Sequence, residues 1–518
     1  MKFINLALGM ATLVFVSSVN AKIDSSNYEW MSKKEFKQEK RSAVKRAKRN
    51  VASTNEITDD LMSSDMKMFR ALVIGESNAD IRNKYMAHFK DKGVSACSDF
   101  TGIKNADEVD ACIDYLDENY ETFANDLKYF AALLVPLRSF KSFTYKMYPL
   151  VKREKITHSV VVTRVFDFAS FMNVNLPTTE WKAGFSYVSE PHHGKIKRFS
   201  RSKDLQQYLK VFVYGDLLKA AKRIDELELN TKIVWDHKLL YGLASFSDEF
   251  KRYRYIGEAE RLATLASLHM GMSWISKFNS FNVDGLMKVT KDISTLYGVD
   301  ALFWQNVDGV TAQQVANVLN KKKYKQLYTK LPDASSTLDA AFKHQKEAIL
   351  LRIVAWEELK NRSADELDIV NSLISGAVET RNNRGAEKLE ELVSGKTEIR
   401  SDITGETIVV DLPAFYANAP DDLKIMMPNA FADSKSKTHY EKKMLEKMIK
   451  AKDGKSYKTT YRNYYYGRAV GWDISAFKHL FPEIKEGDDI AKYTRILNQS
   501  TGGIPVASLM NISMFYNR

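Results

Sequence analysis

Residues 338–356 read LDAAFKHQKEAILLRIVAW. Leu338, Phe342, Ile349, Ile353 and Trp356 recur at helical spacing, so the stretch predicts a long amphipathic helix with one packing face. A second stripe follows in Leu367, Val370, Leu373, Ile374 and Ala377. No proline falls between Pro191 and Pro332, or between Pro332 and Pro413, and proline-free runs of that length suit long helices. Thr311-x-x-Gln314 and Ser363-x-x-Glu366 match the capping box that opens a helix. Residues 191–395 are therefore expected to form a helical domain, a bundle whose stripes are packing faces and require no ligand. His269, on the Leu262–Leu265–Met272 face, reads as a packed histidine.

The regions on either side read differently. In residues 61–190, the apolar run Phe69–Gly75 suits a buried strand, and Ser77-Asn78-Ala79-Asp80 suits a helix start. Ile81, Tyr85 and Phe89 then recur at every fourth position, and Gly93 stands where a C-terminal cap belongs. Val94–Phe100, Ala131–Val135 and Ser159–Val165 are further strand candidates, and a helix from Asn105 puts Val109, Cys112, Ile113 and Leu116 on one face. That alternation favours a small α/β domain. In residues 396–518, Ile399–Val410 reads as a hairpin turning at Thr404-Gly405, Thr438–Ala451 as a charged helix, Tyr457–Tyr466 as an aromatic strand and Asp473–His479 as a helix start. The expected fold class is predominantly α, with a small N-terminal α/β domain, a central helical bundle and a mixed α+β C-terminal region.

The strand at residues 69–75, its polar turn, the helix from Asp80 to Gly93 and the strand from Val94 resemble the small α/β domains of bacterial envelope proteins. Examples are the TolB N-terminal region and outer-membrane lipoproteins that regulate cell-wall synthesis. Those domains bind partners and are not catalytic, so the resemblance implies a binding role. The lipidation cysteine of such lipoproteins is missing here.

Residues 1–21 have the three parts of an export signal: Lys2, the apolar run Phe3–Val16, and Val19-Asn20-Ala21 before the expected cut. The apolar run is shorter than the ~20 residues a membrane span needs, and no later segment is long and uncharged enough to span. Hydrophobic residues make up 44% of the chain, which excludes global disorder. The two cysteines, Cys97 and Cys112, are expected to pair in an oxidising compartment, the alternative being two reduced core thiols. The net charge of +12 is concentrated in residues 33–49, where Lys33, Lys34, Lys37, Lys40, Arg41, Lys45, Arg46, Lys48 and Arg49 stand against two glutamates, a net of +7. Residues 22–60 read as a tail. As a helix it has only the narrow stripe Phe36, Ala43 and Ala47, too thin to fix it in a core. It is expected either to tether the protein to an anionic membrane surface or envelope polymer, or to be a solvated charge run. Nucleic acid is not the expected partner.

Four constellations could carry chemistry. Ser77, in Gly75-Glu76-Ser77-Asn78 after a strand, sits where several hydrolases place a nucleophile and distantly resembles the GDS block of SGNH hydrolases. Glu replaces the Asp, however, and no DxxH block follows; the alternative is a helix cap. His192 and His193 beside Glu190, with Asp236-His237, offer metal-ligand types without a metalloenzyme spacing. Ser434-x-x-Lys437 lacks the companion motifs of penicillin-interacting enzymes. The aromatic and cationic run Tyr457, Tyr461, Arg462, Tyr464, Tyr465, Tyr466, Arg468 and Trp472 suits a ligand or partner surface, because aromatic faces stack on sugars or bases and arginine adds cation–π contacts and charge. On a strand, Tyr461 and Tyr465 would share one face, and at least one face belongs to the core. No cofactor is expected. The chain reads as an exported, non-enzymatic envelope or secreted protein that binds a protein partner or envelope polymer. The alternative is a secreted hydrolase acting on cell-wall or lipid substrates.

Overall fold

The computed structural model describes residues 23, 28–49, 62–67, 106–151, 197–227, 233–236, 253–297, 317–361, 388–400, 405–426, 430–431, 444–450, 456–462, 469–470, 472–487 and 489–500. The described chain is mostly helical, with small two-stranded antiparallel sheets. None of its helices is long and apolar enough to cross a membrane. It divides into two compact units. The first takes residues 1–200, 204–275 and 343–373, and the second takes 201–203, 276–342 and 374–518.

The first unit contains α1 (Lys33–Arg49), α2 (Ala106–Glu118), α3 (Asn125–Leu134) and α4 (Phe143–Val151). Helix α5 (Ser202–Tyr208), which begins in the second unit, passes through a π-turn at Leu209–Val213 into α6 (Tyr214–Asp225). The strands β1 (Ile233–Asp236) and β2 (Tyr253–Ile256) pair antiparallel, Ile233 opposite Ile256. Next comes α7 (Glu258–Phe278), in this unit as far as Ile275. The Ala131–Val135 stretch, expected as a strand, is instead the end of α3 and the first residue of a 3-10 turn. Its helix is buried on every side, from Leu127 and Tyr129 to Leu134, and an all-round buried helix shows the continuous apolar run of a buried strand. The hydroxyl of Tyr129 at the α3 core bonds Thr264 of α7 at 2.6 Å. The other strands expected in residues 61–190 lie outside the described residues.

The long helix expected from LDAAFKHQKEAILLRIVAW is present as α9 (Ala334–Asn361), in the first unit from Lys343 onward. Ile349 and Ile353 are buried on its packing face, as is Trp356.

In the second unit, Val289 of α8 (Leu286–Tyr297) packs in a cluster with Val318, Leu319, Tyr324, Leu327 and Tyr328, and Leu286 and Leu423 pack against it. The expected hairpin forms as β3 (Thr397–Arg400) and β4 (Thr407–Val410), with Gly405 at φ +75°, a conformation that favours glycine. Asp411 caps the short α10 (Leu412–Ala417) by accepting the Ala414 N–H at 3.0 Å. The strands β5 (Ala430–Phe431) and β8 (Ala469–Val470) pair with each other. The stretch Thr438–Ala451, expected as a helix, contains β6 (Met444–Lys450), which pairs over its full length with β7 (Ser456–Arg462). Lys, Glu and Met favour a helix locally, but Asp453-Gly454 between the two strands is a strong hairpin signal and β7 is rich in Tyr and Thr. The last helix, α11 (Asp489–Ser500), buries Ile490, Ile496 and Leu497.

Candidate functional site

The first unit draws five aromatic or titratable side chains from three helices and the N-terminal segment into one line. His269 on α7 and His344 on α9 meet with Nδ1 atoms 2.8 Å apart, and both are fully buried. His344 Nε2 lies 2.7 Å from the Tyr214 hydroxyl, at the first residue of α6. The π-turn ending at Val213 inserts an extra residue per turn, which resets the rotation of α6 and so the direction Tyr214 takes. His269 Nε2 lies 2.9 Å from the Tyr28 hydroxyl, which donates to Asp225 Oδ2 at 3.4 Å.

Burial pushes both imidazoles well below the ordinary histidine range, His344 to about 3, so both are neutral at pH 7. A neutral imidazole has one donor and one acceptor, and Tyr28 must donate to the carboxylate. One assignment then satisfies every atom. Tyr214 donates to His344 Nε2, His344 Nδ1–H donates to His269 Nδ1, His269 Nε2–H donates to Tyr28, and Tyr28 donates to Asp225. Rings seal the line. Tyr28 packs edge-on against His269 at 4.7 Å, and Trp30 packs edge-on against His344 at 4.9 Å. The line joins three helices and the N-terminal segment through hydrogen bonds. Among the described residues, no three His, Cys, Asp or Glu side chains converge as metal ligands. Replacing Tyr214 with Phe leaves His344 Nε2 facing no donor from α6. The expected loss is about 1–3 kcal/mol in urea unfolding, and a change below about 0.5 kcal/mol would show that the line contributes little.

The segment carrying Tyr28 continues into the basic helix. Ser32 and Glu35 form a reciprocal capping box at its start. The Ser32 N–H donates to Glu35 Oε2 at 2.7 Å, and the Glu35 N–H donates to Ser32 Oγ at 3.2 Å. Here the structure departs from the reading that the stripe Phe36, Ala43 and Ala47 is too thin to fix the helix in a core. Phe36, Ala43 and Ala47 are at most 2% exposed. Two alanines bring backbones close together, so a narrow stripe packs where a wider one would be held off. Pairing with acids of α9 completes the docking. Met31 N–H donates to Glu347 Oε2 at 3.1 Å, Lys40 lies 3.9 Å from Glu357, and Arg46 Nε donates to Glu358 at 2.8 Å. Contacts in that order mean that α1 and α9 run in the same sense. Burial pushes the Glu347 carboxyl up to about 7, partly offset by the Met31 N–H.

The outer side of α1 is cationic. Lys33, Lys34, Lys37, Arg41 and Lys45 are exposed, and Lys33, Lys37, Arg41 and Lys45 follow one another at every fourth residue, about 6 Å apart along the axis. Lys40 and Arg46 instead turn inward to the α9 acids, and the side chains of Lys48 and Arg49 lie outside the described residues.

The other sequence candidates do not gather here. Ser77, His192, His193, Cys97, Tyr465 and Arg468 lie outside the described residues. Cys112 falls on α2 and Asp236 on β1, their side chains undescribed. In β7, Tyr461 pairs with Leu445 and Arg462 with Met444. Trp472 points inward. It is 7% exposed, and its ring is edge-on to Phe477 at 5.7 Å. Sequence reasoning missed His344, Tyr28 and Trp30. The signal was available. His344 stands between Ala341 and Ala348 on an apolar helical face as His269 does on α7, and three aromatics within nine residues, Tyr28, Trp30 and Phe36, are unusual in a solvated tail. No protein-family model, no curated protein and no solved structure matches the chain.

Proposed function

We propose that the chain is an exported, non-enzymatic envelope or secreted binding protein that holds an anionic membrane surface or envelope polymer on the outer face of α1. The observation that supports this reading is the one-sided charge of a docked helix. Lys33, Lys37, Arg41 and Lys45 face solvent while Phe36, Ala43 and Ala47 face the protein. A ridge held on a folded unit presents its cations together. A free arm would lose conformational entropy on binding, and a docked helix has already lost it. Cations near an anionic bilayer contribute about 1 kcal/mol each. Export rests on the signal in residues 1–21, and the Tyr/Arg run Tyr457–Arg468 is the second segment proposed to recognise a partner.

Reversing three ridge charges, Lys37→Glu, Arg41→Glu and Lys45→Glu, leaves the buried stripe untouched. Co-sedimentation with phosphatidylglycerol-containing liposomes and with purified cell-wall sacculi is expected to weaken at least about tenfold at low salt. Wild-type binding should also fall steeply as salt rises. Unchanged pelleting of the triple variant would refute the ridge as the binding surface. Release of soluble fragments from either substrate would refute the non-enzymatic reading.

A further inference from the structure

We infer that the His269–His344 pair is an acid-sensitive latch for the N-terminal segment, holding residues 28–49 against the first unit when both imidazoles are neutral and releasing them when either gains a proton. The consequence for anionic-surface binding rests on the function proposed above, but the latch itself does not.

The geometry carries the argument. The segment reaches the pair through two side chains, Tyr28 by a hydrogen bond and ring contact to His269, and Trp30 by ring contact to His344. Those rings lie against two imidazoles that are fully buried. With Nδ1 facing Nδ1 at 2.8 Å, the line holds one proton between the two rings. A second proton on His269 Nδ1 sets two N–H donors against each other, and they must part. A second proton on His344 Nε2 makes a sealed cation whose two bonded neighbours are Tyr214 and His269, neither of them a carboxylate. In both cases the route to lower free energy is to admit water, which means lifting Tyr28 and Trp30.

The charged groups around the pair set the pH range. From α6, Asp225 accepts from Tyr28 and lies 3.7 Å from Arg261 of α7, which is bound by Glu258. From α9, Glu347 holds Met31, with Lys346 and Glu35 in its electrostatic surroundings. Farther along α1, Arg46 and Lys40 pair with Glu358 and Glu357. The two histidines take up protons more readily once released, so each weakens docking as pH falls below about 6.5. Glu347 acts in the opposite sense. Docked, its pKa is about 7, so falling pH favours the docked form until the released carboxyl also protonates near its ordinary 4.5. Asp225, also pushed up by burial, acts in the same direction as Glu347. Between about pH 6.5 and 4.5 the two histidines and Glu347 stand at two protons against one, and Asp225 adds to the side of Glu347. The released fraction therefore rises by up to roughly tenfold per pH unit, and more steeply below that range.

Hydrogen–deuterium exchange of the whole protein, read by mass spectrometry at pH 6.5 and 5.0 with times scaled for intrinsic chemistry, tests this without liposomes. Wild-type amides of Phe36–Ala47 are expected to lose protection roughly thirtyfold, while those of α3 stay unchanged. His344→Asn combined with Tyr214→Phe keeps an N–H donor to His269 and removes one titrating ring, so its response over this range should be nearly flat. Glu347→Gln keeps an acceptor for Met31 and removes the opposing proton, so its loss should exceed the wild-type loss by at least about tenfold. Wild-type protection that holds at pH 5.0, or is lost equally in α1 and α3, overturns the latch. So does a double variant, with α3 protected, that responds as wild type does. If the double variant does not fold, the wild-type and Glu347→Gln profiles decide. Liposome binding of the wild type at pH 7.5 separately tests the ridge.

Discussion

Phe36→Ala is expected to cost about 3–5 kcal/mol in the docking of α1, a larger effect than any other single truncation on that helix. Phe36 is 2% exposed and is the only large apolar side chain on the buried stripe, where Ala43 and Ala47 contribute little area of their own. Its other ties include Tyr28, Trp30, Met31, Lys40 and Arg46, of which Lys40 makes a long and partly exposed pair worth less than about 1 kcal/mol. Losing the aromatic anchor therefore removes much of the helix's attachment. The expected readout is cleavage by trypsin within Lys33–Arg49 at a rate that leaves the rest of the chain intact, with urea unfolding of the body changed less than docking. Resistance equal to wild type would mean that the ion pairs with α9 hold the helix on their own. Arg46→Ala should behave differently, because it removes an ion pair at a Glu358 side chain that is 1% exposed on α9, and so should destabilise the body as well as the helix.

Gly487→Ala is expected to destabilise the second unit by about 3 kcal/mol or more. A Cβ at this position would lie 2.5 Å from the backbone oxygen of Trp472 and 3.2 Å from its backbone nitrogen, and neither atom belongs to a side chain that can swing away. Displacing that backbone carries the Trp472 ring off Phe477 and disturbs the floor on which Phe477 and Phe481 are buried. The measurement is Trp fluorescence during urea unfolding, beside Gly215→Ala on α6 as a control, where an added Cβ meets nothing within 4 Å. A Gly487→Ala midpoint equal to that of wild type would show that the close approach relaxes at no cost. The control is expected to be neutral or slightly stabilising, since alanine is the better helix former.

The helices with a strong repeating stripe were legible in the residues alone. The α9 stripe, the β3–β4 hairpin at Thr404-Gly405 and the helix carrying Ile113 and Leu116 all follow from local signals: periodicity, capping residues and a glycine at positive φ. The Ser32–Glu35 capping box was equally local and marks the start of α1. The sequence also placed the cations of residues 33–49. What it did not decide was whether that helix docks, which of its cations turn inward, or that His269 meets a second histidine. Those outcomes depend on α9 supplying Glu347, Glu357 and Glu358 along one side and on α7 and α9 meeting at His269 and His344, 75 residues apart. The physical difference is one of range. Helix hydrogen bonds and caps close within four residues, so a short stretch of sequence specifies them. Burial of a thin stripe, the inward turn of Trp472 and the pairing of two neutral imidazoles exist only once a distant surface of matching shape and charge is brought against them.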